Sequence, residues 1–113
     1  MIRERDIQEA ILDYLQARRI FAFRTNTGAA MLPGRNGKRQ LVRFGFRGVA
    51  DIIGIVPGED SVGTYGQFLA IEVKGPKGKQ TEDQKAFEEA VKKNGGIYCL
   101  ARSVDDVRKA LEG

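Results

Sequence analysis

Histidine is absent from the 113 residues, and cysteine occurs once. Without imidazole there is no Ser-His-Asp triad, no histidine-metal nuclease motif and no zinc site of the Cys/His kind, because those chemistries need imidazole or several thiolates. Acid-base or metal chemistry must therefore rest on carboxylates, lysine and water. The lone Cys99 excludes an internal disulfide; lying in the apolar run Ile97–Ala101, it is expected as a buried thiol, in keeping with a reducing compartment. No apolar run approaches the roughly 20 residues that cross a bilayer, and MIRERDIQEA lacks the apolar stretch of a signal peptide. The expectation is a cytoplasmic protein with no membrane partner.

With 42% hydrophobic and 30% charged residues, the chain has the composition of a folded protein, and its length suits one domain over residues 1–113. The net charge of +4 is unevenly spread. Between Arg18 and Ala50 stand eight basic residues (Arg18, Arg19, Arg24, Arg35, Lys38, Arg39, Arg43 and Arg47) and no acid. A basic run can be only a solvated face. A stretch this long without a compensating acid is instead the footprint of a phosphate-backbone partner.

Residues Arg3 to Arg19 read as a helix with Ile7, Ile11 and Leu15 on one face. Ile20–Arg24 reads as a short strand running into the turn-prone Asn26-Thr27-Gly28, and Ala29–Phe44, with Pro33-Gly34 and Asn36-Gly37, as a basic hairpin tipped by Arg35 and Lys38. Val49–Val56 predicts a buried strand that Asp51 interrupts, Pro57–Gly66 a surface loop and Gln67–Lys74 a second strand. After the basic loop Gly75–Lys79, Thr81 and Gln84 have capping-box spacing for a helix through Lys93, stopped at Asn94-Gly95-Gly96. Ile97–Ala101 predicts a third strand, and Ser103 caps a last helix through Leu111. The order α-β-(hairpin)-β-β-α-β-α implies one parallel crossover, hence an α/β fold with a mixed sheet.

Asp51 near the start of one strand and Glu72 at the end of its neighbour bring two carboxylates together, and alternation puts Lys74 on the face of Glu72. Paired carboxylates are what a hard cation such as Mg²⁺ takes, and a lysine beside them can orient water or neutralise charge at phosphorus. Glu-x-Lys on a strand is often only a surface pair. Here the charges end an apolar strand, and an unpartnered Asp51 in a second one would cost several kcal/mol. Gly75-Pro76-Lys77-Gly78-Lys79-Gln80 lacks the spacing of a nucleotide-binding loop, so no nucleotide cofactor is expected. Phe21, Phe23, Phe44 and Phe46 are expected in the core rather than stacked on bases.

Gly48-Val49-Ala50-Asp51, then Ile71-Glu72-Val73-Lys74, then Gln84 resemble the PD-(D/E)XK nuclease pattern, with Ala50 where the family name has proline. More specifically, the chain resembles stand-alone VRR-NUC (virus-type replication-repair nuclease) domains of the phage kind over nearly its whole length, including Arg24-Thr25-Asn26-Thr27-Gly28 and the closing Gly95-Gly96 strand and helix. The resemblance implies a restriction-endonuclease-like core with an inserted hairpin, and hydrolysis of DNA with Mg²⁺ or Mn²⁺. It implies Asp51, Glu72 and the Val73 carbonyl as metal ligands, Lys74 as the catalytic lysine and Gln84 at the site, where the capping role stands as an equal alternative. A first-helix glutamate completes the set, from Glu4 or Glu9; Glu4 shares the inward face of Ile7 and Ile11 and is preferred. The expected DNA contacts are Arg24, Asn26, Arg35, Lys38, Arg39, Arg43, Arg47, Lys77 and Lys79. Similarity to Holliday-junction resolvases implies a homodimer on branched DNA, with the last helix (Val104, Val107, Leu111) and the hairpin as the expected contact. The alternatives are a sequence-specific restriction-type endonuclease and a non-catalytic DNA-binding module.

Overall fold

Ile7, Ile11 and Leu15 recur every fourth residue and form the buried face of the first helix, α1, Glu4–Ala17. The structure is a computed structural model that describes residues 3–25, 28–44 and 46–112, with the backbone alone at 28–30 and 42–44. Arg19 ends the helix with a φ of 60°, turning the chain so that the Ile20 N–H donates to the Leu15 carbonyl at 2.9 Å. The chain then enters β1 (Phe21–Arg24), the hairpin strands β2 (Gly28–Pro33) and β3 (Arg39–Phe44), β4 (Ile52–Glu59), β5 (Thr64–Val73), α2 (Glu82–Lys93), β6 (Ile97–Ala101) and α3 (Val104–Glu112).

The main sheet has the order β1-β4-β5-β6. β1 and β5 flank β4 antiparallel, while β6 runs parallel to β5 after the crossover through α2. The mixed α/β architecture is the one expected. α1 and α3 cover one face, where Leu69, Ile71 and Val73 of β5 meet Ile11, Leu15, Ile52, Ala101 and Val107. The alternate positions of β5 face α2, where Ala70 packs with Ala50, Val91 and Tyr98. Cys99 is buried as expected, and burial, with the charge of Asp106 adding to it, pushes its thiol up to about 11.

Four expectations are corrected. Pro57–Gly66 is mostly strand: β4 and β5 continue their ladder through Pro57↔Gly66, Gly58↔Tyr65 and Glu59↔Thr64. Asp60 closes the turn, its carboxylate accepting from the N–H groups of Val62 (2.9 Å) and Gly63 (3.1 Å). The Gly- and acid-rich composition concealed this because β1 begins opposite Ile55, leaving the rest of β4 an edge where proline is tolerated. Next, Asp51 precedes β4 instead of interrupting it. Third, Phe21, Phe23 and Phe46 are not core but 66%, 49% and 72% exposed. Alternation on the edge strand β1 sends Ala22 toward the α1 side, while α2 covers only the β5-β6 half of the face that receives Phe21 and Phe23. The side chain of Phe44 lies outside the described residues. Finally, α3 turns its apolar face inward: Val107 is fully buried and Val104 and Leu111 pack on the same core, so those side chains are not free for a partner.

The hairpin stands apart. β2 and β3 pair with each other from Gly28↔Phe44 to Pro33↔Arg39 and, among the described residues, join neither edge of the main sheet. Asn36 and Gly37, with φ of 60° and 72°, make its tip, as the Asn-Gly signal predicts.

Candidate active site

Because Ile52 pairs with Ile71 in the antiparallel ladder, Asp51 arrives opposite Glu72. Its Oδ2 accepts the Val73 N–H at 2.7 Å, tying the beginning of β4 to the end of β5. Thr25 braces it from the other side: its N–H donates to the Asp51 carbonyl at 2.8 Å and its hydroxyl to the Ala50 carbonyl at 2.8 Å. Asp51 is thus held by contacts reaching both ends of its backbone and its carboxylate.

Glu72 lies on the α2 side of β5 and is only 2% exposed. Its Oε2 accepts from Gln84 Nε2 at 2.8 Å and lies 3.8 Å from the Lys74 ammonium. Among the described residues no hydrogen-bond donor reaches its buried Oε1. An ionised carboxylate in that setting is costly. Burial, then the adjacent charge of Asp51, pushes Glu72 up to about 8, against the opposing pull of Lys74. Burial also raises Asp51, although its bond to the Val73 N–H and its contact with Glu72 lower it.

Gln84 caps α2 and also reaches Glu72. Its Oε1 accepts the Thr81 N–H at 2.9 Å and its own N–H donates to the Thr81 hydroxyl at 3.1 Å, which completes the capping box of α2. The remaining Nε2 holds Glu72. Gly48, with a φ of +75°, permits this approach: a Cβ there would run into the Asp83 carbonyl and sit 2.9 Å from the Gln84 nitrogen.

Glu4 and Glu9 are both exposed, which corrects the inward placement expected of Glu4, and they differ in their partners. Glu9 faces solvent and pairs with Arg5 at 3.5 Å. Glu4 accepts the Gly75 N–H at 3.1 Å, directly after Lys74, and its charge raises both Asp51 and Glu72. Even so, among the described residues no three carboxylates come close enough to make a metal-holding group. Two oxygen-donor acids, one with a buried oxygen that no donor among those residues reaches, nevertheless fit a divalent cation in kind. Val73 itself is 1% exposed at the end of β5.

The expected DNA contacts divide. Arg24 donates from Nε to Gln8 at 2.7 Å on the rim of an open cavity of about 390 Å³ that Glu4 and Arg5 also line. Lys77 and Lys79 are exposed in the loop after Lys74, Arg47 is exposed three residues before Ala50, and Arg35, Lys38 and Arg39 are exposed at the hairpin tip. Asn26 and the side chain of Arg43 lie outside the described residues. Sequence reasoning missed Gln8, Thr25 and Arg102 as supporting residues. Thr25 sits inside the quoted Arg24–Gly28 motif and could have been found there; Gln8 and Arg102 carry no local signal.

The model of the VRR-NUC domain family matches residues 2–105. The chain belongs to the VRR-NUC family. This VRR-NUC domain is accordingly a nuclease domain of PD-(D/E)XK type, its substrate is DNA, and nucleases of this type generally use divalent metals. No curated protein and no solved structure matches the chain. Among the described residues no helix is long and apolar enough to cross a membrane.

Proposed function

We propose that this VRR-NUC domain is a metal-dependent DNA endonuclease that selects branched DNA and works as a homodimer, with Asp51, Glu72 and the Val73 carbonyl holding Mg²⁺ or Mn²⁺. The observation that carries the reading is Glu72 Oε1, a buried carboxylate oxygen that no hydrogen-bond donor reaches among the described residues, beside a second acid. Such an arrangement destabilises the empty fold and is relieved by a cation. When bound, the cation polarises the scissile phosphate and lowers the pKa of a water.

The chain's own groups do the rest. Gln84 fixes Oε2 and so fixes the direction of Oε1. Lys74, 14% exposed in its side chain, keeps its ammonium 3.8 Å from Oε2, where it orients a water and offsets charge developing at phosphorus. Glu4 adds negative potential at the rim. Arg24, Arg47, Lys77 and Lys79 track the phosphate backbone near the site, and the hairpin grips it at a distance. The homodimer rests on economy: cutting both strands of a branch needs two sites, and a two-fold pair of identical chains supplies them.

The test is cleavage of supercoiled plasmid, linear duplex and four-way DNA with Mg²⁺, Mn²⁺ or EDTA, with mass by light scattering. Metal-dependent cutting of the four-way substrate by a dimer is expected. Binding without cutting in every metal would leave a DNA-binding module, a discrete fragment pattern on linear DNA would mark a restriction-type enzyme, and a monomer cutting linear and branched DNA equally would remove the last two claims.

A further inference from the structure

Lys74 lies just past the end of its strand: β5 ends at Val73, and Lys74 is followed by Gly75-Pro76-Lys77-Gly78. Two glycines and a lysine would by themselves leave the ammonium poorly directed. The segment is nevertheless clamped. The Lys74 N–H donates to the Ala101 carbonyl at 3.0 Å, which fixes its backbone to the end of β6. The next residue of that strand exit, Arg102, sends its guanidinium across to the turn, where Nη1 donates to the Gly75 carbonyl and Nη2 to the Gly78 carbonyl, the latter at 3.0 Å. Arg102 is anchored in turn, its N–H donating to Asp106 Oδ2 at 2.9 Å. The turn closes through Gly78 N–H to the Gly75 carbonyl at 3.1 Å, and the Gly78 backbone lies so close that an added Cβ would sit 3.2 Å from Lys74 Cδ. On the opposite side Glu4 accepts the Gly75 N–H at 3.1 Å.

We propose that Arg102 is a positioning residue for Lys74, its two-pronged guanidinium bracing the Gly75–Gly78 turn against the lysine stem so that the ammonium stays at Glu72. The inference rests on the nuclease reading for its consequence in catalysis, but not for its geometry. A planar fork that spans two carbonyls is something arginine does and lysine cannot. Glu4, whatever else it does, is the counterpart of the clamp on the other face of the turn.

The test compares wild type, Arg102→Lys and Arg102→Ala as full chains, with circular dichroism to show that each folds. Two readouts are taken. In metal-free protein, acetylation of individual lysines is followed by mass spectrometry: Lys74 is expected to react slowly in wild type and several-fold faster in both variants, while exposed Lys38 and Lys109 are unchanged. In the cleavage assay with Mn²⁺, both variants are expected to lose roughly ten- to a hundredfold in kcat with KM nearly unchanged, the scale of a small misplacement of a reacting group. Failure of Arg102→Lys to rescue is the decisive result, because it keeps the charge and loses the fork. Full activity with unaltered Lys74 reactivity in both variants would overturn the proposal. So would a normal kcat with raised KM and a smaller salt slope in Arg102→Ala, restored by Arg102→Lys, since that pattern describes a phosphate contact. An inactive wild type with the expected acetylation pattern would fail the nuclease reading and leave the clamp standing.

Discussion

The carboxylate centre and the β2-β3 hairpin carry charge in opposite ways. At the centre, Asp51, Glu72 and Gln84 are each bound to groups far away in sequence; Glu72 is buried and Asp51 half-buried. Among the described residues the hairpin strands pair only with each other, and Arg35, Lys38 and Arg39 are exposed. Buried charge is strong, costly and sensitive to geometry, whereas exposed charge is screened and additive. On the proposed reading the centre acts on a bond and the hairpin holds a polymer, so substitutions in the two regions should fail in different ways.

The sharpest separation comes from Asp51→Ala and Glu72→Ala. Each is expected to lower kcat by on the order of 10³-fold or more, with DNA affinity in EDTA preserved and the circular dichroism spectrum unchanged. Near-normal cleavage by either protein would dissolve the distinction between the regions. Lys74→Ala comes next, at roughly 10²–10³-fold in kcat. Calorimetry should show that it still takes up Mn²⁺, and loss of that uptake would move Lys74 from the reaction into the metal site.

The opposite failure is expected of the hairpin. Replacing Arg35, Lys38 and Arg39 with alanine should reduce the slope of log affinity against log salt by about one unit per lost contact and leave kcat at saturating DNA unchanged. Wild-type affinity across salt concentrations would make the hairpin a solvated arm, and a fall in kcat would make it part of the centre.

Gly48→Ala probes the seam between Asp51 and α2. At a φ of +75° with the Asp83 carbonyl in the way, a methyl group should cost about 1–3 kcal/mol in urea unfolding and loosen Gln84 from Glu72. An unchanged midpoint would mean that α2 can shift freely without disturbing the centre.

The smallest effect is one of pH. In the metal-free fold Glu72 holds its proton up to about 8, while in the unfolded chain it releases it near the ordinary 4.5. Between those values the unfolded state binds fewer protons, so the contribution of Glu72 to stability falls as pH rises. The raised Asp51 acts in the same direction. Urea midpoints in EDTA should decline from about pH 5 to about pH 8 more in wild type than in Glu72→Gln, and Mg²⁺ should recover more at the higher pH. Identical pH profiles for the two proteins would show that the acid is not held in its neutral form.

Much of this was legible because short-range rules govern it. The apolar spacing of Ile7, Ile11 and Leu15 gave α1, Asn36-Gly37 gave the hairpin, and Thr81-Gln84 gave the cap of α2. The approach of Asp51 to Glu72 followed from neighbouring strands alone. What stayed hidden depends on which neighbour an element finds. Phe21 and Phe23 looked like core because apolar content does not reveal that α2 leaves the β1 half of the sheet bare. Pro57-Gly58-Glu59 looked like loop because nothing local says that β1 begins opposite Ile55 and leaves that edge free. The reach of Arg102 to Gly75 and Gly78 spans 27 and 24 residues and has no periodicity to announce it.

The doubled use of Gln84 has a consequence for anyone engineering this chain. Rules for strengthening a helix start accept glutamate as readily as glutamine at the third position of a capping box, and a negative charge there also suits the helix dipole. Applied here, Gln84→Glu would keep the Thr81 cap but place an acceptor, and a third acid, where Glu72 Oε2 now receives its donor. A change that a helix-only view rates as harmless or beneficial would thus set two carboxylates against each other at the most enclosed acid of the site.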